Sequence, residues 1–136
     1  EKFLTKILKM GHLSVLEHVS FTFGIEGISR ATSHQLVRHR LASYSQQSQR
    51  YVKFKDKLEF VTPSSIQKNE GIKKRFSETV ESIYKLYKDM LEAGIPAEDA
   101  RYILPNAAET KIIVTMNARE LLHFLAFAPV KGPNGR

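Results

Sequence analysis

The chain has 136 residues, 42% of them hydrophobic and 26% charged, and carries a net charge of +7. That length holds one domain with a core of moderate size, and no apolar run approaches the roughly 18 to 20 residues of a membrane span or the layout of a secretory signal. Cysteine is absent, which excludes disulfides, thiolate metal sites and thiol nucleophiles and suits a cytoplasmic location.

Residues 2–10, KFLTKILKM, space Phe3, Leu4, Ile7 and Leu8 as a helix does, and Gly11 is its expected stop. VSFTFGI, residues 19–25, alternates Val19, Phe21, Phe23 and Ile25 with smaller residues and predicts a strand with one buried face. Ser29 is placed to cap a helix through RATSHQLVRHR, residues 30–40. A mixed loop or strand segment follows to about Phe60, and EFVTP ends it at a proline. The longest predicted helix runs over 64–93. Phe76, Val80, Ile83, Tyr84, Tyr87, Met90 and Leu91 form its apolar stripe, and Gly94 ends it. PAEDARYIL predicts a short helix from Pro96, KIIVTMN a β-branched strand over 111–117, and ARELLHFLAF a last helix. Long helices packed on a mainly antiparallel sheet, in one α+β domain over 1–136, are the expectation. Glu1 in place of methionine and the closing KGPNGR make that domain, by expectation, incomplete at both ends.

The positive charge is unevenly spread. No acidic residue lies between Glu26 and Asp56, an interval that holds Arg30, Arg38, Arg40, Arg50, Lys53 and Lys55. Its densest part, RHRLASYSQQSQRY at 38–51, combines three arginines with three serines. If 30–40 is helical, Gln35, Arg38 and His39 share a face. Guanidinium groups bond two phosphate oxygens at once, and clustered cations repel one another unless an anion lies between them. A site for a multiply charged anion and a solvated basic face both remain open on these grounds. So does a single-stranded nucleic-acid groove, with Arg38, Arg40 and Arg50 on phosphates and Tyr44 and Tyr51 as stacking platforms.

RHRLASYSQQS resembles the Arg-His-Arg, seven residues, Ser signature of the flavin-dependent thymidylate synthases. GHLSVLEHVSFTF at 11–23, RYILP at 101–105 and TMNARELLHF at 115–124 resemble further segments of that family in the same order. The resemblance implies reductive methylation of dUMP to dTMP, with methylenetetrahydrofolate as carbon donor and NADPH as reductant through bound FAD. It also implies a homotetramer with active sites where subunits meet. On matching positions, His12, Ser14, Glu17, Arg38, His39, Arg40, Asn117, Arg119 and His123 would contact FAD. Gln35, Gln46, Ser48, Arg50 and Arg101 would surround dUMP, with Ser48 and Arg50 on its phosphate. Conventional thymidylate synthases attack uracil with a cysteine thiolate, which this chain lacks. The flavin route needs no enzyme nucleophile, so Ser48 is read as a phosphate donor.

Plainer roles stand beside these. Glu17 could satisfy a helix end or pair with a cation, Asn117 could cap the last helix, and His123 could sit at the edge of a core. His18 is read as a backbone partner, and Tyr44 and Tyr51 could stack on a ring or merely pack. No spacing of His, Asp or Glu suggests a metal. Gln46 stands where many members of the family carry an acidic or amide residue. The chain has no Trp, and APVKGPNGR does not resemble the family's Gln-Trp-Glu-type segment, whose arginine activates uracil. Arg136 is therefore not assigned that role, and the catalytic residue is left unassigned. A flavoprotein of the same fold with another substrate is a further reading.

Overall fold

The computed structural model describes residues 2–51 and 58–127. Lys53, Lys55, part of the segment expected to run to Phe60, and the closing APVKGPNGR with Arg136 lie outside the described residues. In chain order the elements are α1 (Lys2–Lys9), a 3₁₀ segment (Leu13–His18), β1 (Ser20–Ser29), α2 (Arg30–Leu36), β2 (Ser43–Gln46), α3 (Ser64–Gln67), α4 (Glu70–Glu92), α5 (Ala97–Ala100) with a 3₁₀ turn (Arg101–Ile103), β3 (Glu109–Asn117) and α6 (Ala118–Phe127). The fold is α+β, as expected, with an antiparallel sheet in the order β1-β3-β2. Val19 O accepts from Ala118 N while Arg30 N donates to Ala108 O, so β1 and β3 run in opposite directions.

By internal contacts the chain forms two compact units of interleaved sequence. The first comprises Glu1–Gly24, Val37–Ser45 and Ile113–Arg136; the second comprises Ile25–Leu36 and Gln46–Ile112. Each strand passes from one unit to the other within its length.

The second unit is built on α4. Val80 and Tyr87 are buried along its stripe, and Phe76, Ile83, Tyr84, Met90 and Leu91 are half-buried beside them. Val80 packs with Leu58 and Ala108, and Phe60, Phe76, Tyr84 and Leu104 close around that cluster. Each large side chain fully withdrawn from water in this way contributes roughly 1.5–3 kcal/mol. Phe60 bridges to Ala108, which ties EFVTP to the start of β3 before Pro63 opens α3.

The expected single helix over 64–93 is two. Asn69 adopts an extended backbone, and its Oδ1 accepts from Ile72 N at 3.1 Å, so α4 starts afresh there. Asparagine satisfies a new helix start better than it continues an old helix. The far end is as expected: Gly94, at φ 84°, takes the left-handed conformation that ends α4. Pro96 stands just outside α5 as its cap, one place earlier than the first-turn position expected.

The helix expected over 30–40 stops at Leu36, so Gln35, Arg38 and His39 do not share a helical face. A helix this short has little stability of its own. Beyond it, His39 O accepts from the Tyr44 hydroxyl at 2.7 Å, and the His39 ring meets Phe124 edge-on at 5.1 Å. Those contacts hold the chain in a turn.

The first unit is thinly buried. Along β3, Val114 and Met116 are buried and alternate with exposed Ile113. β1 extends further than the expected 19–25, and its predicted buried face is not buried. Val19, Phe21 and Phe23 are 47%, 41% and 39% exposed, and the two rings stack with centroids 6.2 Å apart. Strand alternation marks a face that suits packing, while burial needs a partner layer, and the described chain places none over this one.

Candidate functional site

In the first unit, β3 hands over to α6 at Asn117. Its Oδ1 accepts from Glu120 N at 2.9 Å, and Glu120 Oε2 accepts from Asn117 N at 2.8 Å, a reciprocal capping box. That cap aims the first turn of α6. Arg119 Nη1 donates to Glu17 Oε1 of the 3₁₀ segment, and His123 lies one turn further along α6. Glu17, Asn117, Arg119, Glu120 and His123 line one open groove of about 310 Å³ together with Leu41. A smaller crevice, with room for little more than a water molecule, brings His39 and Tyr44 to Met116, His123 and Phe124. Burial pushes the Tyr44 phenol above its ordinary pKa.

The groove's two carboxylates are both engaged, Glu17 by a guanidinium and Glu120 by the helix start. Its remaining polar capacity is mainly donor: the Asn117 amide nitrogen, the rest of the Arg119 fork, and His123. His12, Ser14, Arg38 and Arg40 are exposed and line neither cavity.

The second unit arranges its polar groups differently. Ser29 Oγ accepts from Thr32 N at 3.1 Å and caps α2, as expected. Arg30 then projects a half-buried guanidinium. Burial, and next the positive charge of Arg101, lower its pKa. Arg101 Nε donates to Glu98 O at 3.0 Å. Among the described residues, neither guanidinium has a carboxylate partner. Two like charges held together without a counter-charge cost stability until an anion joins them.

Elsewhere in this unit, Ser48 Oγ accepts from Arg50 N at 3.1 Å, so hydroxyl and amide form a tight local turn. The exposed Arg50 guanidinium lies 5.5 Å from the ring centroid of Tyr51, itself 78% exposed. Gln46 Nε2 donates to Ser33 Oγ at 2.6 Å and to Thr110 Oγ1 at 3.3 Å. Gln49 Nε2 is buried without a partner, and Gln35 is exposed on α2.

A family model described as thymidylate synthase complementing protein matches residues 1–129. The chain belongs to this family. Among curated members named flavin-dependent thymidylate synthase, that of Geobacter sulfurreducens is 63% identical over 123 residues, covering 90% of this chain and 53% of its own length. That of Pyrococcus furiosus is 53% identical over 127 residues, covering 91% and 52%. That of Sulfurisphaera tokodaii is 55% identical over 119 residues, covering 85% and 45%. The chain thus spans about half the length of the curated relatives it matches.

For this family member, the residues matched to FAD all fall in the first unit and those matched to dUMP all fall in the second. Four of the first set, Glu17, Asn117, Arg119 and His123, line one groove, and His39 joins His123 in the cavity beside Leu41 and Glu120. Of the plainer roles, Asn117 does cap its helix and Glu17 does pair with a cation. Arg30 is the residue that sequence reasoning passed over. The signal was available, since Arg30 opens the acid-free interval directly after the capping Ser29.

Proposed function

We propose that this chain carries the nucleotide- and flavin-binding part of an enzyme that methylates dUMP reductively to dTMP, taking carbon from methylenetetrahydrofolate and electrons from NADPH through FAD. The observation that carries the reading is Arg30, half-buried beside the positive charge of Arg101, with neither guanidinium on a carboxylate among the described residues. Such a pair suits the dianionic phosphate of a mononucleotide. Arg30 therefore joins Gln35, Gln46, Ser48, Arg50 and Arg101 in the proposed dUMP site.

The first-unit groove fits the flavin nucleotide by the chemistry of its donors. Its carboxylates are already engaged, Glu17 by Arg119 and Glu120 by a backbone amide, and His123, Asn117 and Arg119 remain to meet carbonyl and phosphate oxygens. His12, Ser14, Glu17, Arg38, His39 and Arg40 complete the proposed set. When bound, the flavin supplies hydride to the pyrimidine-bound carbon. The chain's own residues bind and orient. Glu17 holds Arg119 in one direction, the capping box fixes where α6 starts, and cationic groups around dUMP favour an ionised uracil without a covalent enzyme link. The uncovered Val19, Phe21 and Phe23 support self-association, here proposed as a homotetramer. A cytoplasmic enzyme acting on free nucleotides completes the proposal.

The test is spectroscopic. Purified protein should be yellow, release FAD on denaturation, and change its flavin absorption when dUMP is added. Colourless protein that shifts single-stranded DNA with steep salt dependence would point instead to nucleic-acid binding.

A further inference from the structure

Ser33 is fully buried on α2 and stands outside both proposed ligand-binding sets. Its Oγ lies 3.0 Å from the carbonyl oxygen of Arg30. A carbonyl cannot donate, so the single hydroxyl proton of Ser33 is committed to that bond. Gln46 approaches the same Oγ at 2.6 Å. With the proton spoken for, Ser33 can only accept, and Gln46 must turn its N–H side toward it. Thr110 Oγ1, also buried, stands 3.3 Å from the same nitrogen and takes the second N–H.

The three groups form a directed relay, from Gln46 amide to Ser33 hydroxyl to Arg30 carbonyl. The relay leaves Gln46 Oε1 as the outward end, and among the described residues no protein donor meets it. A glutamine amide is otherwise ambivalent, since a half-turn exchanges its donor and acceptor faces. Here one face is removed from choice.

We infer that Ser33, seconded by Thr110, is a positioning residue that locks Gln46 as a hydrogen-bond acceptor for a donor on the bound nucleotide. The donor is a ribose hydroxyl or the imide N–H of the ring. The inference rests on the proposed role of Gln46 at dUMP. It makes position 46 specific: a nucleotide presenting an acceptor there meets a second acceptor and is refused.

The test is a double-mutant cycle on the flavin-loaded protein, with dUMP affinity measured by titration and KM and kcat by turnover. Gln46→Ala should weaken dUMP about tenfold, the loss of one substrate hydrogen bond. Ser33→Ala should raise Kd and KM about three- to tenfold while kcat moves less than about twofold, because a freed amide spends part of its time reversed. In the Gln46→Ala background, Ser33→Ala should add nothing. Of 3′-deoxy-dUMP and N3-methyl-dUMP, the parent protein should discriminate against whichever lacks the donor, and Ser33→Ala should lose that discrimination.

If Gln46→Ala leaves dUMP affinity unchanged, the substrate role of Gln46 fails and the inference falls with it. If Gln46→Ala weakens binding while Ser33→Ala does not, or if the two effects multiply, the positioning role is overturned and the substrate role stands. Should Ser33→Ala fail to fold by circular dichroism, the near-isosteric Thr110→Val decides. It should raise KM about twofold in the parent and not at all with Gln46→Ala; multiplying effects there overturn the inference equally.

Discussion

The two units differ in how they are held together and in how their charges are balanced. The second unit buries Leu58, Val80, Tyr87, Ala97, Ala100, Ala108 and Ile112 around one long helix. The first buries only Val114 and Met116 among its described hydrophobic residues and leaves Phe3, Met10, Val19, Phe21, Leu41 and Ile113 exposed. The arginines differ too. In the first unit Arg119 is answered by Glu17, and Glu120 by the start of its helix. In the second, the positive charge of Arg101 acts on Arg30, and among the described residues neither has a carboxylate partner.

The largest test of that contrast is removal of Arg101. Arg101→Ala should weaken dUMP by about 10- to 100-fold, the range for one charge-assisted contact. The nucleotide-free protein should melt no lower than the parent, since a repulsion goes with the side chain. Calorimetric titration and a thermal melt read both, and a lower melting temperature with unchanged affinity would mean that Arg101 is structural.

In the first unit the same operation should behave differently. Arg119→Ala should weaken FAD retention about tenfold and also leave the Glu17 carboxylate unmatched. Released-flavin fluorescence reports the first effect. Glu17→Gln should keep most of the flavin, and equal losses from both variants would blur the distinction between the units.

Asn117 separates scaffold from site at a smaller scale. Asn117→Ala removes the helix cap and should cost about 1 kcal/mol. Asn117→Asp keeps the accepting oxygen and should restore the melting temperature. If flavin uses the amide nitrogen, the aspartate variant should still lose flavin, and full recovery of both properties would assign Asn117 to the cap alone.

The smallest effect is a pH dependence. Burial raises the Tyr44 pKa in the folded chain above its ordinary 10.0. The stability this gives is fully present below pH 10 and is lost as pH rises through the folded value, because the unfolded chain gives up its proton first. Tyr44→Phe should flatten that decline in alkaline melts. It should also lose the bond to His39 O at every pH.

What the sequence determined by itself is the local and periodic part: the apolar stripe of α4, the glycine that ends it, the strand before the last helix, and the Ser29 cap. Each follows from backbone preference or from a spacing of a few residues. The family was equally legible, because four motifs in fixed order leave little room for coincidence. Tertiary structure decided where helices break, which faces are buried and which cations meet. The break at Asn69 is the exception, made locally by its own side chain on Ile72 N. The turn at His39 is held by Tyr44 and Phe124, the latter 85 residues further along the chain. Phe21 and Phe23 read as core and are exposed, since alternation shows which face can be covered and not whether anything covers it. Arg30 feels the charge of Arg101, and Gln46 bonds Ser33, only because folding brings together side chains that no periodicity relates.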